Sequence, residues 1–298
     1  MIELLYIYAW TIVAGCLTAP ALSLLGSQLA TTDRAMQTVC VGQGAMVGVL
    51  VGIGILHIWE GTWIGTVGPF LSALVVSGIT FLVTDRLVAK QMASKNTTFA
   101  FIFALLLAAG SLVSALFPAL ESHMAQVYFG DLATITVRDS QLLSALALVS
   151  LSLLVGFLKS LTNQSFESAV FGDAILFGRV TSSQRATKIL TLVVLCFSVQ
   201  FVGFLFTIAM LFLPTALLNF LRTKGLRMHL WLCALLSLVG TVVGFLFSLK
   251  YTRLPTVPAI VVVMFFGGIL LLMGERLVSG SLFASNRENG RSTPPISP

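Results

Sequence analysis

The chain has 298 residues, of which 57% are hydrophobic and only 9% are charged, and its mean hydropathy is +1.00. A soluble protein of this length needs far more charge to cover its surface. Apolar stretches of about 20 residues, long enough to cross a bilayer, recur along the whole sequence. The composition therefore excludes a soluble protein and predicts an all-α membrane protein with several transmembrane helices.

The predicted membrane spans follow one another with polar connections between them. They are Tyr8–Leu25, Val39–Leu56, Trp63–Val83, Phe99–Phe117, Gln141–Leu158, a longer apolar run at Ile189–Leu221, Leu230–Leu249 and Val257–Met273. Residues 1–285 are predicted to form one transmembrane domain of about eight helices, and the first span is interpreted as retained. Residues 286–298 are polar and proline-containing, which predicts a disordered tail.

The run Ile189–Leu221 is too long for one ordinary crossing. Its 33 residues would make an unbroken helix of about 50 Å, against a hydrocarbon core of about 30 Å. Gly203 and Pro214 both lie within it, and proline removes a backbone hydrogen bond and bends a helix. The run is either a steeply tilted helix or two segments with a break.

The distribution of basic residues decides between these two options, because Lys and Arg concentrate in cytoplasmic loops. If the run crosses and returns, 14 of the 17 basic residues are cytoplasmic, and only Arg138, Lys250 and Arg253 are outside. A single crossing would give a split of 10 to 7. The sequence therefore predicts a broken, re-entrant helix, an external N-terminus and a cytoplasmic C-terminus. Because the basic residues are spread over five loops, no nucleic-acid partner is expected.

Small residues repeat at four-residue spacing in the second span, at Gly44, Gly48 and Gly52. Such spacing lets two membrane helices approach closely. The pattern is consistent with a place along a substrate path or with plain internal packing, and the second is the more common. Gln200 and Gly203 are further candidates for the path or for packing, and both lie within the long apolar run, where Gln200 is an embedded amide.

The sequence contains no nucleotide-binding GxxxxGK[ST] pattern and no catalytic HExxH or GxSxG pattern. The chain is not expected to be an enzyme, to bind nucleotide or to carry a cofactor. Two pairs near span ends, His57 with Glu60 and Glu121 with His123, combine imidazole and carboxylate, which suit zinc or manganese. Single polar residues at span ends more often simply meet water and lipid headgroups.

Several stretches resemble a known family. The sequence Val199-Gln-Phe-Val-Gly-Phe-Leu-Phe-Thr-Ile-Ala-Met-Leu-Phe-Leu-Pro-Thr-Ala is similar to the signature K-x-V-G-x-L-L-x-x-A-L-L-x-x-P-A-A-x-A of the manganese, zinc and iron chelate-uptake ABC permeases. Tyr128-Phe-Gly-Asp-Leu-Ala-Thr-Ile-Thr, Ser165-Phe-Glu-Ser-Ala-Val-Phe-Gly and Leu254-Pro-Thr-Val-Pro resemble further motifs of that family, in the same order along the chain.

The resemblance implies a fold similar to the type II importers for vitamin B12 and iron siderophores. It implies a separate ABC ATPase, an extracytoplasmic solute-binding protein, and a second permease subunit that makes a homodimer or a heterodimer in the bilayer. It also implies that the region from Pro214 to Arg227 couples to the ATPase, with Arg222, Lys224 and Gly225 in that segment. The basic residues there also suit plain anchoring at the cytoplasmic side.

Three positions depart from the family pattern. Arg34 and Thr38 stand where the family carries the Asp and His of its metal route, and Arg253 stands where an acidic residue is usual. A guanidinium does not ligate a divalent cation and repels one. The resemblance as a whole still implies an importer of zinc, manganese or iron at the inner membrane of a bacterium. The alternatives are an ion-coupled secondary transporter and an ABC permease for a chelated or non-metal substrate.

Overall fold

The computed structural model describes residues 8–31, 34–56, 63–90, 93–117, 120–130, 132–157, 182–220, 225–251 and 254–289. These residues form ten α-helices and one short 3₁₀ turn at Leu132–Thr134, and they contain no strand. The helices are α1 Ala9–Thr31, α2 Ala35–Leu56, α3 Trp63–Ala89, α4 Lys95–Leu116, α5 Glu121–Phe129, α6 Val137–Gly156, α7 Ser182–Val202, α8 Phe204–Asn219, α9 Leu226–Lys250 and α10 Thr256–Asn289.

Seven of these helices are long and apolar enough to cross a membrane: α1, α2, α3, α4, α6, α9 and α10. The remaining long apolar run is divided at Gly203 into α7 and α8, whose apolar parts have 16 residues each, Thr187–Val202 and Phe204–Asn219. The prediction of about eight spans with one broken helix is confirmed.

The chain folds back on itself at Gly203. Ser198 Oγ and Thr207 Oγ lie 2.8 Å apart, although nine residues of one straight helix would separate them by about 13 Å. A Cβ placed on Gly42 of α2 would contact both Leu195 of α7 and Ile208 of α8, so the two helices run side by side. The long run therefore enters the bundle and returns.

Because the chain reverses direction between α7 and α8, each helix can be assigned a direction between two ends of the bundle. The ends of α1 and α6 meet where Thr11 Oγ lies 3.4 Å from Ser140 Oγ, and the backbone N–H of Leu132 donates to Thr256 Oγ at the start of α10 (2.9 Å). We call this side, which carries α5, the α5 end of the bundle. The last residues of α3 and the first of α7 meet at the other side, which we call the opposite end. The described chain starts at the α5 end and finishes α10 at the opposite end.

Two buried clusters hold the helices together. The larger joins α1, α6, α7, α8, α9 and α10, and the smaller joins α2, α3, α5 and α7. In the larger cluster, a Cβ on Gly26 of α1 would overlap the carbonyl of Leu211 in α8, and one on Gly244 of α9 would overlap the backbone of Ile260 in α10. The helices therefore pack backbone to backbone, which raises van der Waals contact where lipid gives no hydrophobic drive for association.

Helix boundaries differ from the predicted spans in two ways. Most helices are longer than the apolar stretches, because their end turns reach beyond the bilayer core and carry polar side chains; α10 extends to Asn289, past the predicted start of the tail at residue 286. The short helix α5 was not predicted at all. It has nine residues with polar Glu, Ser, His and Gln among them, too few and too polar for a membrane span.

Candidate functional site

Two glycines in unusual backbone conformations meet at the α5 end. Gly130, which ends α5, has φ +71°, and Gly203, which separates α7 from α8, has φ +98°. A Cβ on Gly203 would lie 2.5 Å from Gly130 Cα and 3.1 Å from the carbonyl oxygen of Gln126. Both positions therefore require glycine for conformation and for space. We call this contact the glycine junction.

A cavity of about 210 Å³ lies beside the glycine junction, and we call it the α5-end cavity. A single water needs only roughly 10–15 Å³, so the cavity holds several. Residues from α2, α3, α5, α6, α7 and the segment between α5 and α6 line it: Ile53, Gly65, Pro69, His123, Gln126, Val127, Thr134, Ile135, Thr136, Asp139, Gln200 and Phe201.

Helices α5 and α6 supply three of the polar side chains of this cavity, those of His123, Gln126 and Asp139. His123 and Gln126 are three residues apart on α5, so they share one face of that helix. Asp139 lies in the first turn of α6, where its backbone N–H donates to Thr136 Oγ (3.2 Å) and its Oδ2 accepts from the Thr136 hydroxyl (2.7 Å). This reciprocal cap fixes the carboxylate at the helix start. An imidazole and a capped carboxylate therefore line the same cavity.

Of the four residues predicted as metal ligands, two lie in α5 and two lie outside the described residues. His57 and Glu60 lie outside the described residues. Glu121 is the first residue of α5, and its side chain lies outside what the structure describes. His123 is half-buried and lines the α5-end cavity, as Asp139 does. Within the described residues, no group of three or more His, Cys, Asp or Glu side chains could hold a metal. Metal ligation by His123 stays a prediction.

Sequence reasoning missed Asp139, which reaches the cavity from a different helix. The sequence Thr136-x-x-Asp139 has the pattern of a helix cap, and that signal predicts the start of α6. It does not predict which cavity the carboxylate meets, because that depends on how α5 and α6 are placed.

The glycines of α2 lie against α3. Cβ atoms on Gly44, Gly48 and Gly52 would contact Thr80, Ala73 and Pro69, and all three distances are below those of ordinary packing. Ser72 Oγ also donates to the carbonyl of Gly48. This placement supports close packing of α2 with α3, and a part in the transport path stays a prediction. Gln200, in contrast, lines the α5-end cavity three residues before Gly203.

The residues predicted to couple to the ATPase lie around the connection from α8 to α9, at the opposite end. Arg222 and Lys224 are outside the described residues. Pro214 is buried within α8 and does not interrupt it, Gly225 caps the start of α9, and Arg227 is exposed in the first turn of α9. The break in the apolar run is thus at Gly203 and not at Pro214. The coupling role of these residues stays a prediction.

Charged side chains lie close together at the opposite end, in the region where Arg34 and Thr38 depart from the family pattern. Gln37 Nε2 donates to Asp85 Oδ1 (2.7 Å), and Lys188 Nζ lies 4.0 Å from Asp85 Oδ2. Arg34 adds a second positive charge that acts on Lys188, and the hydroxyl of Thr38 donates to the Arg34 carbonyl (3.0 Å). These residues form a cross-link between α2, α3 and α7 rather than a set of metal ligands.

The fold defines a polytopic helical membrane protein. A model of the ABC 3 transport family matches residues 5–274. The chain therefore belongs to the ABC 3 transport family, and it is a permease subunit of an ABC transporter.

Comparison with solved structures agrees with this fold. The structure described as PsaBC from Streptococcus pneumoniae in complex with Fab is similar to this chain, with a TM-score of 0.72 and 15% sequence identity. The match covers 91% of this chain and 93% of the other chain. No curated protein sequence matches the chain significantly.

Proposed function

We propose that this permease carries zinc, manganese or iron as the divalent ion into a bacterial cell across the inner membrane, driven by a separate ABC ATPase. Its further partners are an extracytoplasmic solute-binding protein and a second permease subunit, identical or related. The observation that carries the proposal is the match to the ABC 3 transport family over nearly all of the apolar sequence, residues 5–274.

The positions of basic residues support the orientation. Those in described segments at the opposite end are Arg34, Arg86, Lys90, Lys95, Arg185, Lys188, Arg227, Arg276 and Arg287. At the α5 end the described residues include only Arg138 and Lys250. By the positive-inside rule the opposite end faces the cytoplasm, so the α5-end cavity opens to the outside and α10 ends inside.

The positions of ionisable residues support ATP as the energy source. In the described apolar helices, charged and histidine side chains lie near the ends, as at Arg34, Asp85, Lys188 and His229. Carriers that couple transport to ions place such groups within the bilayer core. The bundle instead has the two-helix return at Gly203, which brings the start of α9 to the cytoplasmic side, where an ATPase can bind it.

Metal uptake by cells tests the cargo. Uptake of radiolabelled zinc, manganese and iron is measured in cells that lack the gene and in cells that carry it again. We expect uptake of at least one metal to fall without the subunit and to return with it. Unchanged uptake of all three metals would refute the metal assignment.

Co-purification tests the ATPase. The tagged permease is purified from native membranes with Arg227→Glu and Lys90→Glu as a matched pair, since both reverse an exposed positive charge at the opposite end. We expect Arg227→Glu to lose the ATPase and metal uptake, and Lys90→Glu to keep both. Equal ATPase recovery and uptake in the two variants would refute the coupling assignment of Arg227.

A further inference from the structure

The α5-end cavity has the chemistry of a cation site. Among its lining residues, His123 offers an imidazole nitrogen and Asp139 a carboxylate, while Gln126 and Gln200 offer amide oxygens. None of the lining residues is Lys or Arg. Imidazole with carboxylate and carbonyl oxygen suits divalent transition metals such as Mn²⁺ and Zn²⁺.

Ligand atoms remain available in this cavity. The Thr136 hydroxyl occupies Oδ2 of Asp139, and Oδ1 has no hydrogen bond to another described residue. The His123 ring likewise makes no hydrogen bond within the described part of the chain, although it is half-buried. With only two such ligands and room for several waters, a cation would keep part of its hydration shell and bind reversibly.

The cavity also lies next to the break between α7 and α8. The carbonyl of Gln126 is one of the backbone groups that a Cβ on Gly203 would meet, and Gln200 and Phe201 belong to the last turn of α7. The cavity is therefore bordered by residues of the last turn of α7. It sits on the side of the break that faces outward in the proposed orientation.

We propose that His123 and Asp139 form a loading subsite, where a partly hydrated divalent transition-metal ion binds at the outer mouth before transport. The proposal rests on the proposed function, and it adds a place of first binding. His123 donates a ring nitrogen to the ion, Asp139 donates Oδ1 and neutralises one positive charge, and Gln126 supplies an oxygen from the same face of α5.

Direct binding to the purified, full-length permease tests the subsite. Co²⁺ is the probe, because its visible absorption reports nitrogen and oxygen ligands, and Mn²⁺ and Zn²⁺ are titrated by calorimetry. We expect His123→Gln and Asp139→Asn each to weaken binding at least about tenfold, since even loss of an outer-shell partner costs roughly 10–100-fold. We expect Gln126→Glu to tighten binding, because it adds a carboxylate one helical turn from His123.

The matched control is His229→Gln, which removes the half-buried imidazole of α9 at the opposite end. It should leave Co²⁺ affinity and spectrum unchanged. The gain in affinity from Gln126→Glu does not arise from misfolding, so it tests the proposal even if His123→Gln is poorly folded. The subsite is overturned if Co²⁺ binding is unchanged in His123→Gln, Asp139→Asn and Gln126→Glu. It is also overturned if His229→Gln is the one variant that loses Co²⁺ binding.

Metal uptake separates this proposal from the proposed function. If His123→Gln and Asp139→Asn raise KM for uptake while kcat is kept, the subsite is supported as a loading site. Normal uptake together with unchanged binding in these variants overturns the subsite and leaves the permease function intact. Absence of metal uptake by the wild-type system refutes the proposed function itself, whatever the Co²⁺ titration gives.

Discussion

Replacing Gly203 with alanine tests whether the glycine junction stabilises the reversal of chain direction between α7 and α8. At φ +98° and ψ 162° the residue occupies a region that is essentially restricted to glycine, where a side chain costs about 1–3 kcal/mol. The added Cβ would also lie 2.5 Å from Gly130 Cα and 2.7 Å from Gly130 N. These are backbone atoms that no rotamer change can move, so overpacking adds about 1–3 kcal/mol.

Together these two effects predict that Gly203→Ala lowers the free energy of unfolding by about 2–6 kcal/mol. Thermal unfolding of the detergent-purified protein, followed by the loss of its monodisperse size-exclusion peak, measures the change. With roughly 2–4 °C of melting temperature per kcal/mol for a chain of this size class, we expect a fall of at least about 4 °C.

Gly78→Ala is the matched control, because Gly78 lies within α3 and an added Cβ meets no atom within 4 Å. There the substitution removes backbone freedom at no steric cost, so stability should stay the same or rise by up to about 1 kcal/mol. If Gly203→Ala melts within about 2 °C of Gly78→Ala, the reasoning about the junction is wrong.

Three further substitutions test the packing of the bundle by the same melting assay. Gly26→Ala should destabilise by about 1–3 kcal/mol, because its Cβ would overlap the carbonyl of Leu211; a melting temperature equal to wild type would contradict the close approach of α1 and α8. Gln43→Leu should stabilise by about 1–3 kcal/mol, because the fully buried amide has no hydrogen-bond partner among the described residues; a lower melting temperature would show that the amide is satisfied. Ser198→Ala should lower the free energy of unfolding by only about 0.5–1.5 kcal/mol, because the Thr207 hydroxyl keeps its hydrogen bond to the Gly203 carbonyl (2.7 Å). A decrease as large as that of Gly203→Ala would show that the Ser198–Thr207 hydroxyl pair, rather than the glycine junction, stabilises the reversal between α7 and α8.

The charge cross-link at the opposite end clarifies the departures from the family pattern. Asp85, Gln37 and Lys188 join three helices through polar contacts, and Arg34 lies in the same region. A guanidinium at the position of a metal ligand would repel a cation, and here its positive charge acts on the ammonium group of Lys188. Among the described residues, an imidazole and a carboxylate line one cavity at the α5 end, those of His123 and Asp139.

The sequence by itself determined the class of protein and its crossings. Its low charge and recurrent apolar stretches left only a membrane fold, and the positions of basic residues required the run at Ile189–Leu221 to return. Both signals are strong because the bilayer penalises exposed polar groups wherever they occur along the chain. Local pattern therefore sufficed for the number of membrane spans and for their alternating direction, but not for the short helix α5.

Only the tertiary structure decided where the return is made and which side chains meet. Gly203 and Pro214 were equal candidates in sequence, and the approach of Gly130 selected Gly203, because two backbones can meet there only without side chains. His123 and Asp139 are 16 residues apart on different helices and reach one cavity through the placing of α5 against α6. Such contacts depend on how separate helices pack, which the periodicity of any single helix does not contain.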